Sequence, residues 1–317
     1  MGGLWGKRER LAMLLLLLLA LVAPFLVYPV FLMKGLCFAL FASAFNLLLG
    51  YSGLLSFGHA MFFGFAAYVT AHMGKVWGVN PEWAILGGVV TAAALGLLTG
   101  WLAIRRTGIY FAMVTLAFAQ MMYFVAIQAP FTHGEDGIQG VPRGRLFGFI
   151  DLGESLTLYY FVLLVFVASL WFLNRVVQSP FGQVLKAIRD NEQRAISLGY
   201  AVNRFKLLAF VLSAAFSGLA GSMKCQVFQL ASLADVHWHS SGEVVLMTLL
   251  GGIGSLMGPA VGAFLVVSIE NYFAEAGAWV TIIQGGIFVF CVLLFRAGII
   301  GTLSQWLKGL YSGVGKA

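Results

Sequence analysis

Apolar runs of about 20 residues recur along the whole chain, and they limit its possible folds more than any other feature. A helix of that length and composition can cross the hydrocarbon core of a bilayer. Hydrophobic residues make up 61% of the 317 residues and charged residues only 10%, which is too little charge to cover the surface of a soluble domain of this size. The sequence therefore predicts an all-α fold, a polytopic transmembrane helical bundle with broken or re-entrant helices.

Hydropathy predicts six uninterrupted spans and two longer apolar stretches that glycines interrupt. The first span follows a basic cluster, as in a signal peptide, but no clean cleavage site ends the run and further spans follow. We therefore interpret it as an uncleaved first helix. The predicted spans are 11–32, 84–104, 108–128, 156–174, 207–230 and 279–296, and the interrupted stretches are 34–73 and 244–270.

Loop charge predicts how these spans are oriented. Segment 175–206 has six basic and two acidic residues, whereas the loop 129–155 has two basic and four acidic ones. Because Lys and Arg concentrate in cytoplasmic loops, 175–206 is predicted to be cytoplasmic and 129–155 to lie outside a bacterial inner membrane. Both termini, including the short basic tail 297–317, are then cytoplasmic. Each interrupted stretch must leave and return to the same side, as a tight pair of spans or as two half-helices meeting inside the membrane.

The first interrupted stretch is unusually polar for a segment inside a membrane. Its polar side chains can form hydrogen bonds, and its glycines can admit bends. His59 is the only ionisable residue predicted well inside it, and an ionisable residue there indicates a functional site. It either contacts the solute or donates a hydrogen bond to a backbone carbonyl that holds the bend. The helix-break or pathway candidates in this stretch are Asn46, Gly50, Gly53, Ser56, Gly58 and His59.

The second interrupted stretch has helix-breaking residues at its centre and is too short for two full spans of about 20 residues. Unpaired backbone groups are unfavourable in hydrocarbon, so such a break persists only inside protein or beside a watery cavity. Transporters place their pathways at broken helices near the middle of the membrane. The alternative is that the glycines only allow close helix packing. The candidates here are Gly251, Gly252, Gly254, Gly258 and Pro259.

Residues 179–200 have the pattern of two short amphipathic helices. Ser179 suits an N-cap, Pro180 suits the first helical position, and Asn191 can cap the second helix. Their apolar faces need a surface to cover them, which is either the membrane interface or a groove on a cytoplasmic partner. The apolar residues are Val184, Leu185 and Ile188 in the first helix, and Ala195, Ile196 and Leu198 in the second.

Several classes of function lack their residues in this sequence. It has no Gly-x-x-x-x-Gly-Lys-[Ser/Thr] phosphate loop, no metal-ligand cluster and no nucleophile–base set, so we predict neither an enzyme nor a bound metal or cofactor. The basic residues lie in short loops, which indicates membrane orientation and not a nucleic-acid partner. An ion-coupled carrier would depend almost entirely on His59, because Glu243 and Glu270 lie near predicted span ends.

Four motifs and the glycine cluster at 251–259 follow one another in a characteristic order. The motifs are Ser56-x-Gly58-His59-Ala60; Thr107-Gly108-Ile109-Tyr110-Phe111 leading to Thr115-Leu116-Ala117; Gly134-Glu135-Asp136-Gly137-Ile138; and Ser179-Pro180-Phe181-Gly182 through Ala187-Ile188-Arg189-Asp190-Asn191-Glu192. With this order and spacing, the chain resembles the LivM-type permeases of branched-chain amino-acid ABC importers over nearly its whole length. The chain departs from the family at His133, where the family loop often has glycine. Because of this departure, the resemblance predicts the fold more firmly than the identity of the solute.

The resemblance implies a single permease domain over 1–317 that works with a second, related permease subunit, two cytoplasmic ATPase subunits and an external solute-binding protein. The leading expectation is ATP-driven uptake of branched-chain or related small amino acids. Urea or short amides are the alternative solutes, and an ATP-independent transporter or channel is the alternative mechanism. Thr115 joins the pathway candidates. Segment 175–206 would couple to an ATPase through Pro180, Phe181, Gly182, Ile188, Arg189, Asp190, Asn191 and Glu192.

Overall fold

The structure, a computed structural model, describes residues 19–273 together with 282, 285–286, 289–290, 298–299 and 301–302. A π-helical turn, Leu47–Tyr51, continues the first long helix, and short 3-10 helices lie at Ala23–Phe25, Pro130–Thr132, Gly134–Asp136 and Leu233–Asp235. The α-helices bounded within 19–273 are α1 (Pro29–Asn46), α2 (His59–Lys75), α3 (Pro81–Ala103), α4 (Ile109–Gln128), α5 (Ser155–Gln178), α6 (Pro180–Asp190), α7 (Glu192–Ser197), α8 (Val202–Phe228), α9 (Trp238–Gly251) and α10 (Gly258–Tyr272).

The long helices run between two ends of the bundle that differ in charge. We define the basic end by residues 104–108 and 179–201, which pack together, and the acidic end by residues 129–154. At the acidic end, Lys34 near the start of α1 pairs with Glu270 near the end of α10, with 3.0 Å between Nζ and Oε2. Both interrupted stretches therefore begin and finish at the same end, as the span count predicted. The second stretch forms a closely packed pair of helices, α9 and α10, whereas in the first stretch α2 packs mainly between α3 and α8.

Five helices in the described part of the chain are long and apolar enough to cross a membrane. Four of them confirm predicted spans to within a few residues, and the fifth is α1 with its π-helical turn. The polytopic helical fold is therefore confirmed. The five are Pro29–Tyr51, Pro81–Ala103, Ile109–Gln128, Ser155–Gln178 and Val202–Phe228.

The predicted first span, 11–32, is wrong at its C-terminal end. A 3-10 turn forms at Ala23–Phe25, Tyr28 is extended, and a new helix begins at Pro29. Proline lacks an N–H and disfavours helix at the residue before it, so the helix is interrupted here. Hydropathy cannot detect this interruption because the turn is as apolar as the helices beside it. Residues 11–18, most of 279–296 and most of the tail 297–317 lie outside the described residues.

The helix α1 with its π-helical turn is the central element of the bundle. In its most apolar window 83% of the residues are buried, against 33% for α3 and 28% for α4, which lie at the periphery. Helices α5, α8, α9 and α10 all pack on α1, while α2 lies between α3 and α8. A Cβ at Gly221 of α8 would lie 1.9 Å from the carbonyl oxygen of Phe63 in α2. Glycine therefore allows these two backbones to touch, as is common between membrane helices.

Two small antiparallel sheets organise the acidic end, and the sequence did not predict them. Strand β1 (Ile138–Gln139) pairs with β4 (Leu230–Ala231), and β2 (Arg145–Leu146) pairs with β3 (Ile150–Asp151). The first pairing, with Ile138 opposite Ala231, ties the loop 129–154 to the end of α8. Apart from these two-residue strands, the described structure is helical as predicted.

Candidate functional site

The two interrupted stretches meet at one buried asparagine. We name residues 52–58 the first break and residues 252–257 the second break. The Asn46 side chain donates from Nδ2 to the carbonyl oxygen of Ser255 (2.8 Å) and accepts from the Gly254 N–H (3.0 Å). A single side chain at the end of α1 therefore satisfies backbone groups that the second break leaves without helical partners.

Arg189 of α6 connects the basic segment to the same region. Its Nη1 donates to the carbonyl oxygen of Gly50 in the π-helical turn (2.6 Å). Its Nε and Nη2 donate to Asp190 Oδ1 at 3.1 and 3.0 Å, which fixes the guanidinium plane. A Cβ at Gly53 would lie 2.9 Å from Arg189 Cγ, and Gly53 has a φ of 71°. Helix α6 thus contacts the π-helical turn directly, and such turns are frequent at functional sites.

Both breaks lie beside α6, at the basic end. With a rise of about 1.5 Å per residue, the 14 residues of α9 and the 15 of α10 each extend over roughly 20 Å. Each is shorter than the helix of about 20 residues that spans a hydrocarbon core, as expected for half-helices. Both interrupted stretches are thus pairs of helices that turn beside α6.

The glycines of the second break permit close packing as well as the turn. A Cβ at Gly251 would lie 1.8 Å from the carbonyl oxygen of Gly258 on the opposite helix. Gly252 and Gly254 have φ values of 115° and 75°, which favour glycine. Pro259 lies in the first turn of α10, where its missing N–H is harmless. The packing interpretation of these residues is therefore supported by geometry.

His59 is fully buried and holds three helices together. Its Nε2 is 2.8 Å from Ser213 Oγ, which in turn donates to the carbonyl oxygen of Ala44 at 2.6 Å. The imidazole ring also packs edge-on against Phe45, Phe62 and Phe210. It lines neither of the two cavities described below. This geometry favours the structural alternative for His59, which reaches a backbone carbonyl through a serine.

The remaining candidates of the first break attach it to α4. Thr115 Oγ1 accepts from the Phe57 N–H (3.2 Å) and donates to the carbonyl oxygen of Ala112 (2.9 Å). Ser56 Oγ accepts from the Gly58 N–H at 3.2 Å. These bonds fix the turn between α1 and α2 against the start of α4.

The amphipathic segment of the basic end has both helix caps that the sequence predicted. Ser179 Oγ accepts from the Gly182 N–H, and Asn191 Oδ1 accepts from the Arg194 N–H. The apolar face is covered only in part, since Ile196 and Leu198 stay exposed. Ile188 is buried against Ala195 and Val202 of the same chain, and neither the membrane surface nor a partner is needed to cover it. The start of α8 packs against α6 and covers Ile188. The helical periodicity of residues 179–200 cannot show this contact with a later helix.

The eight coupling candidates divide by exposure. Gly182 and Ile188 are buried, and Phe181 stacks on Phe205 at 5.8 Å between ring centroids. Glu192 pairs with the buried Lys206, with 2.6 Å between Oε1 and Nζ. A partner protein could therefore contact only the exposed side chains of the segment 179–200. Exposed there are Pro180, Arg189, Asp190 and Asn191, and also the apolar side chains of Ile196 and Leu198.

An open cavity of about 560 Å³ lies at the acidic end, and the sequence analysis did not predict it. Helices α1, α8 and α9 line it with the 3-10 turn Leu233–Asp235. One sequence signal could have indicated it. Lys34 and Lys224 each interrupt an apolar run near the end of the bundle that was predicted to lie outside. The lining residues are Lys34, Phe38, Lys224, Phe228, Leu230, Ala234, Asp235, His237, His239, Ser240 and Glu243.

A second cavity, of about 360 Å³, lies at the basic end between the first break and the start of α4. Its lining is apolar, and it includes Gly53, Phe57 and Ile109. Within the described residues no group of three or more His, Cys, Asp or Glu side chains could hold a metal ion.

A bundle of membrane-length helices with a charged cavity at one end and an amphipathic segment tied to helix breaks at the other has the architecture of a transport permease. The family model described as "Branched-chain amino acid transport system / permease component" matches residues 29–292. The chain belongs to this family. It is therefore a transport-system component and not an enzyme.

Three relatives illustrate the similarity. The chain is 29% identical to the high-affinity branched-chain amino acid transport system permease protein LivM of Salmonella typhimurium and 28% identical to that of Escherichia coli, in each case over 98% of this chain and 79% of the relative. It is 29% identical to the L-arabinose ABC transporter permease protein AraH of Azospirillum brasilense, over 66% of this chain and 62% of that protein. No solved structure matches the chain. The resemblance to LivM-type permeases is confirmed.

Proposed function

We propose that this chain is one of two related permease subunits in an ATP-driven importer of branched-chain or related small amino acids. Two LivM relatives aligned over 98% of the chain support this solute class. The match to an arabinose permease covers only 66% of the chain and favours sugars less. The chain forms one permease domain over 1–317. Two ATPase subunits and an external solute-binding protein complete the importer.

The proposed orientation places the basic end in the cytoplasm of a bacterium and the acidic end outside its inner membrane. The excess of basic residues in 175–206 supports this orientation. Both termini are then cytoplasmic. The loop 129–155 faces the solute-binding protein, and the outer side of α6 and α7 faces an ATPase. Ile196 and Leu198, which are exposed and apolar, suit a groove on that ATPase.

The observation that carries the ATP-driven part is the hydrogen bond from Arg189 to Gly50. Through it, a displacement of α6 by an ATPase acts directly on the π-helical turn of α1. Asn46, one residue before that turn, holds the second break. A movement imposed at the basic segment therefore reaches both breaks without passing through a flexible element.

Replacement of Arg189 by alanine tests this role. We expect ATP hydrolysis to continue while solute moved per ATP falls about tenfold, a typical size for the coupling between two sites. The assay is leucine uptake and phosphate release by the complete importer in vesicles, with its binding protein. Glu192 is left unchanged because its partner Lys206 is buried and would lose its charge pair.

Arg194→Ala is the matched control, because Arg194 is an exposed arginine of the same segment whose guanidinium has no bond to the breaks. It should leave the ratio of uptake to hydrolysis unchanged. An equal loss of uptake and hydrolysis in R189A would contradict coupling through this residue. Vesicles that contain this chain alone should take up no leucine, and uptake by the lone chain would favour a carrier or channel.

A further inference from the structure

The cavity at the acidic end is lined by two lysines and two carboxylates, and a third carboxylate lies beside it. Lys34 pairs with Glu270, which lies just outside the cavity lining, and Lys224 pairs with Asp235. Glu243 has no lysine partner among the described residues. Glu243 pairs instead with the imidazole of His239, with 3.2 Å between Oε1 and Nδ1. The imidazole is charged only when it is protonated.

Glu243 is also largely removed from water. Only 20% of its side chain is exposed, so its ionised carboxylate is poorly solvated and a cationic partner would stabilise it. The charges of Lys34, Lys224, Asp235 and Glu270 all act on it electrostatically. An ammonium group that entered the cavity would therefore find one carboxylate ready to accept it.

Each lysine of the cavity lies beside an aromatic side chain of the lining. Lys34 Nζ is 5.9 Å from the centre of the Phe38 ring, and Lys224 Nζ is 5.8 Å from that of Phe228. Lys34 is the more accessible of the two, with 29% of its side chain exposed against 14% for Lys224. The volume is in the range of small-molecule sites. A carboxylate and an aliphatic side chain thus both have places beside Glu243.

We propose that this cavity is a binding site for a zwitterionic amino acid with an apolar side chain. Glu243 pairs with the α-ammonium group, Lys34 turns from Glu270 to the α-carboxylate, and Phe38 and Phe228 contact the side chain. A neutral solute would leave Glu243 without a cationic partner, and a simple cation would leave Phe38 and Phe228 without an apolar contact. The assignment rests on the proposed function, because it places the site on the side from which an importer receives solute.

The test is direct binding of radiolabelled leucine to the permease–ATPase assembly without its solute-binding protein, measured by scintillation proximity. We expect saturable binding at millimolar concentrations or below. Isoamylamine, which lacks the carboxylate, and isocaproate, which lacks the ammonium group, should each compete about tenfold more weakly than leucine, because each can form only one of the two ion pairs that leucine forms.

Two substitutions separate the two halves of the site. Glu243→Gln should weaken leucine binding about tenfold, and Glu243→Asp should recover part of it, since loss of a charge partner in a desolvated site weakens binding by at least this much. Lys34→Gln should also weaken leucine binding but leave isoamylamine competing as well as leucine. Glu154→Gln is the matched control, because Glu154 is an exposed carboxylate at the same end that does not line the cavity.

Absence of saturable leucine binding would overturn the inference, as would unchanged binding in both E243Q and K34Q. Isoamylamine competing as well as leucine in the unmodified assembly would show a simple cation site and would also overturn it. The same assembly is then assayed for leucine uptake with its binding protein. Uptake without leucine binding to the assembly rejects this site and leaves the proposed function standing. No uptake of any amino acid rejects the proposed function itself, and the solute class of the site with it.

Discussion

The two ends of the bundle hold their helices together by different means. At the basic end, Asn46 and Arg189 form hydrogen bonds to backbone groups, so the contacts are short and directional. At the acidic end, the pairing of β1 with β4 holds the loop 129–154 to α8, but ion pairs of Lys34 and Lys224 join the helices around the open cavity. Backbone bonds define one geometry, whereas long charged side chains can exchange partners. From this comparison we expect the basic end to move as one unit, while the helices around the cavity can rearrange around a charged ligand.

The largest expected effect comes from separating the helices at the basic end. Gly251→Ala places a Cβ against the backbone carbonyl of Gly258, so α9 and α10 must move apart. We expect the free energy of unfolding to fall by about 3 kcal/mol, at the upper end for an overpacked core. The measurement is thermal unfolding of the purified chain in detergent.

Gly242→Ala is the control for that experiment, because it lies in the same helix and its Cβ would meet no atom within 4 Å. It should be neutral or stabilise by up to about 1 kcal/mol, the helix preference of Ala over Gly. Similar destabilisation by both substitutions would mean that the close contact of α9 with α10 does not hold the basic end together.

Removal of the Asn46 side-chain bonds should have the next largest effect. Asn46→Leu keeps the volume but leaves the Gly254 N–H and the Ser255 carbonyl without this partner. We expect a loss of about 2 kcal/mol, because backbone groups would be buried unpaired. Chemical unfolding can measure it. Asn174→Leu, at a partly exposed asparagine whose side chain accepts from Gln178, should change stability by less than about 0.5 kcal/mol.

The smallest effect is expected from the ion pair of the acidic end. Lys34 and Glu270 are both partly exposed, so a double-mutant cycle of Lys34→Met and Glu270→Gln should give a coupling energy of about 1 kcal/mol or less. Added salt should reduce it. A coupling energy as large as the Asn46 effect, and insensitive to salt, would remove the distinction between the two ends.

Local features of the chain could be predicted from the sequence because their causes are local. Apolar length fixed the positions of α3, α4, α5 and α8, and the caps Ser179 and Asn191 form as predicted. A cap depends on a side chain and an N–H three residues away, so no knowledge of the remaining fold is required. The helix interruption before Pro29 was missed because its residues are as apolar as the helix that follows them.

The sequence by itself determined that this chain is a helical membrane permease, which loops share an end, and which residues break its helices. Only the tertiary structure decided that both breaks lie beside α6, that Ile188 is covered by its own chain, and that Lys34 meets Glu270 across 236 residues. The physical reason is that hydropathy, caps and glycine conformations act over a few residues. The partner of a polar group inside a membrane protein depends instead on which distant helices pack together.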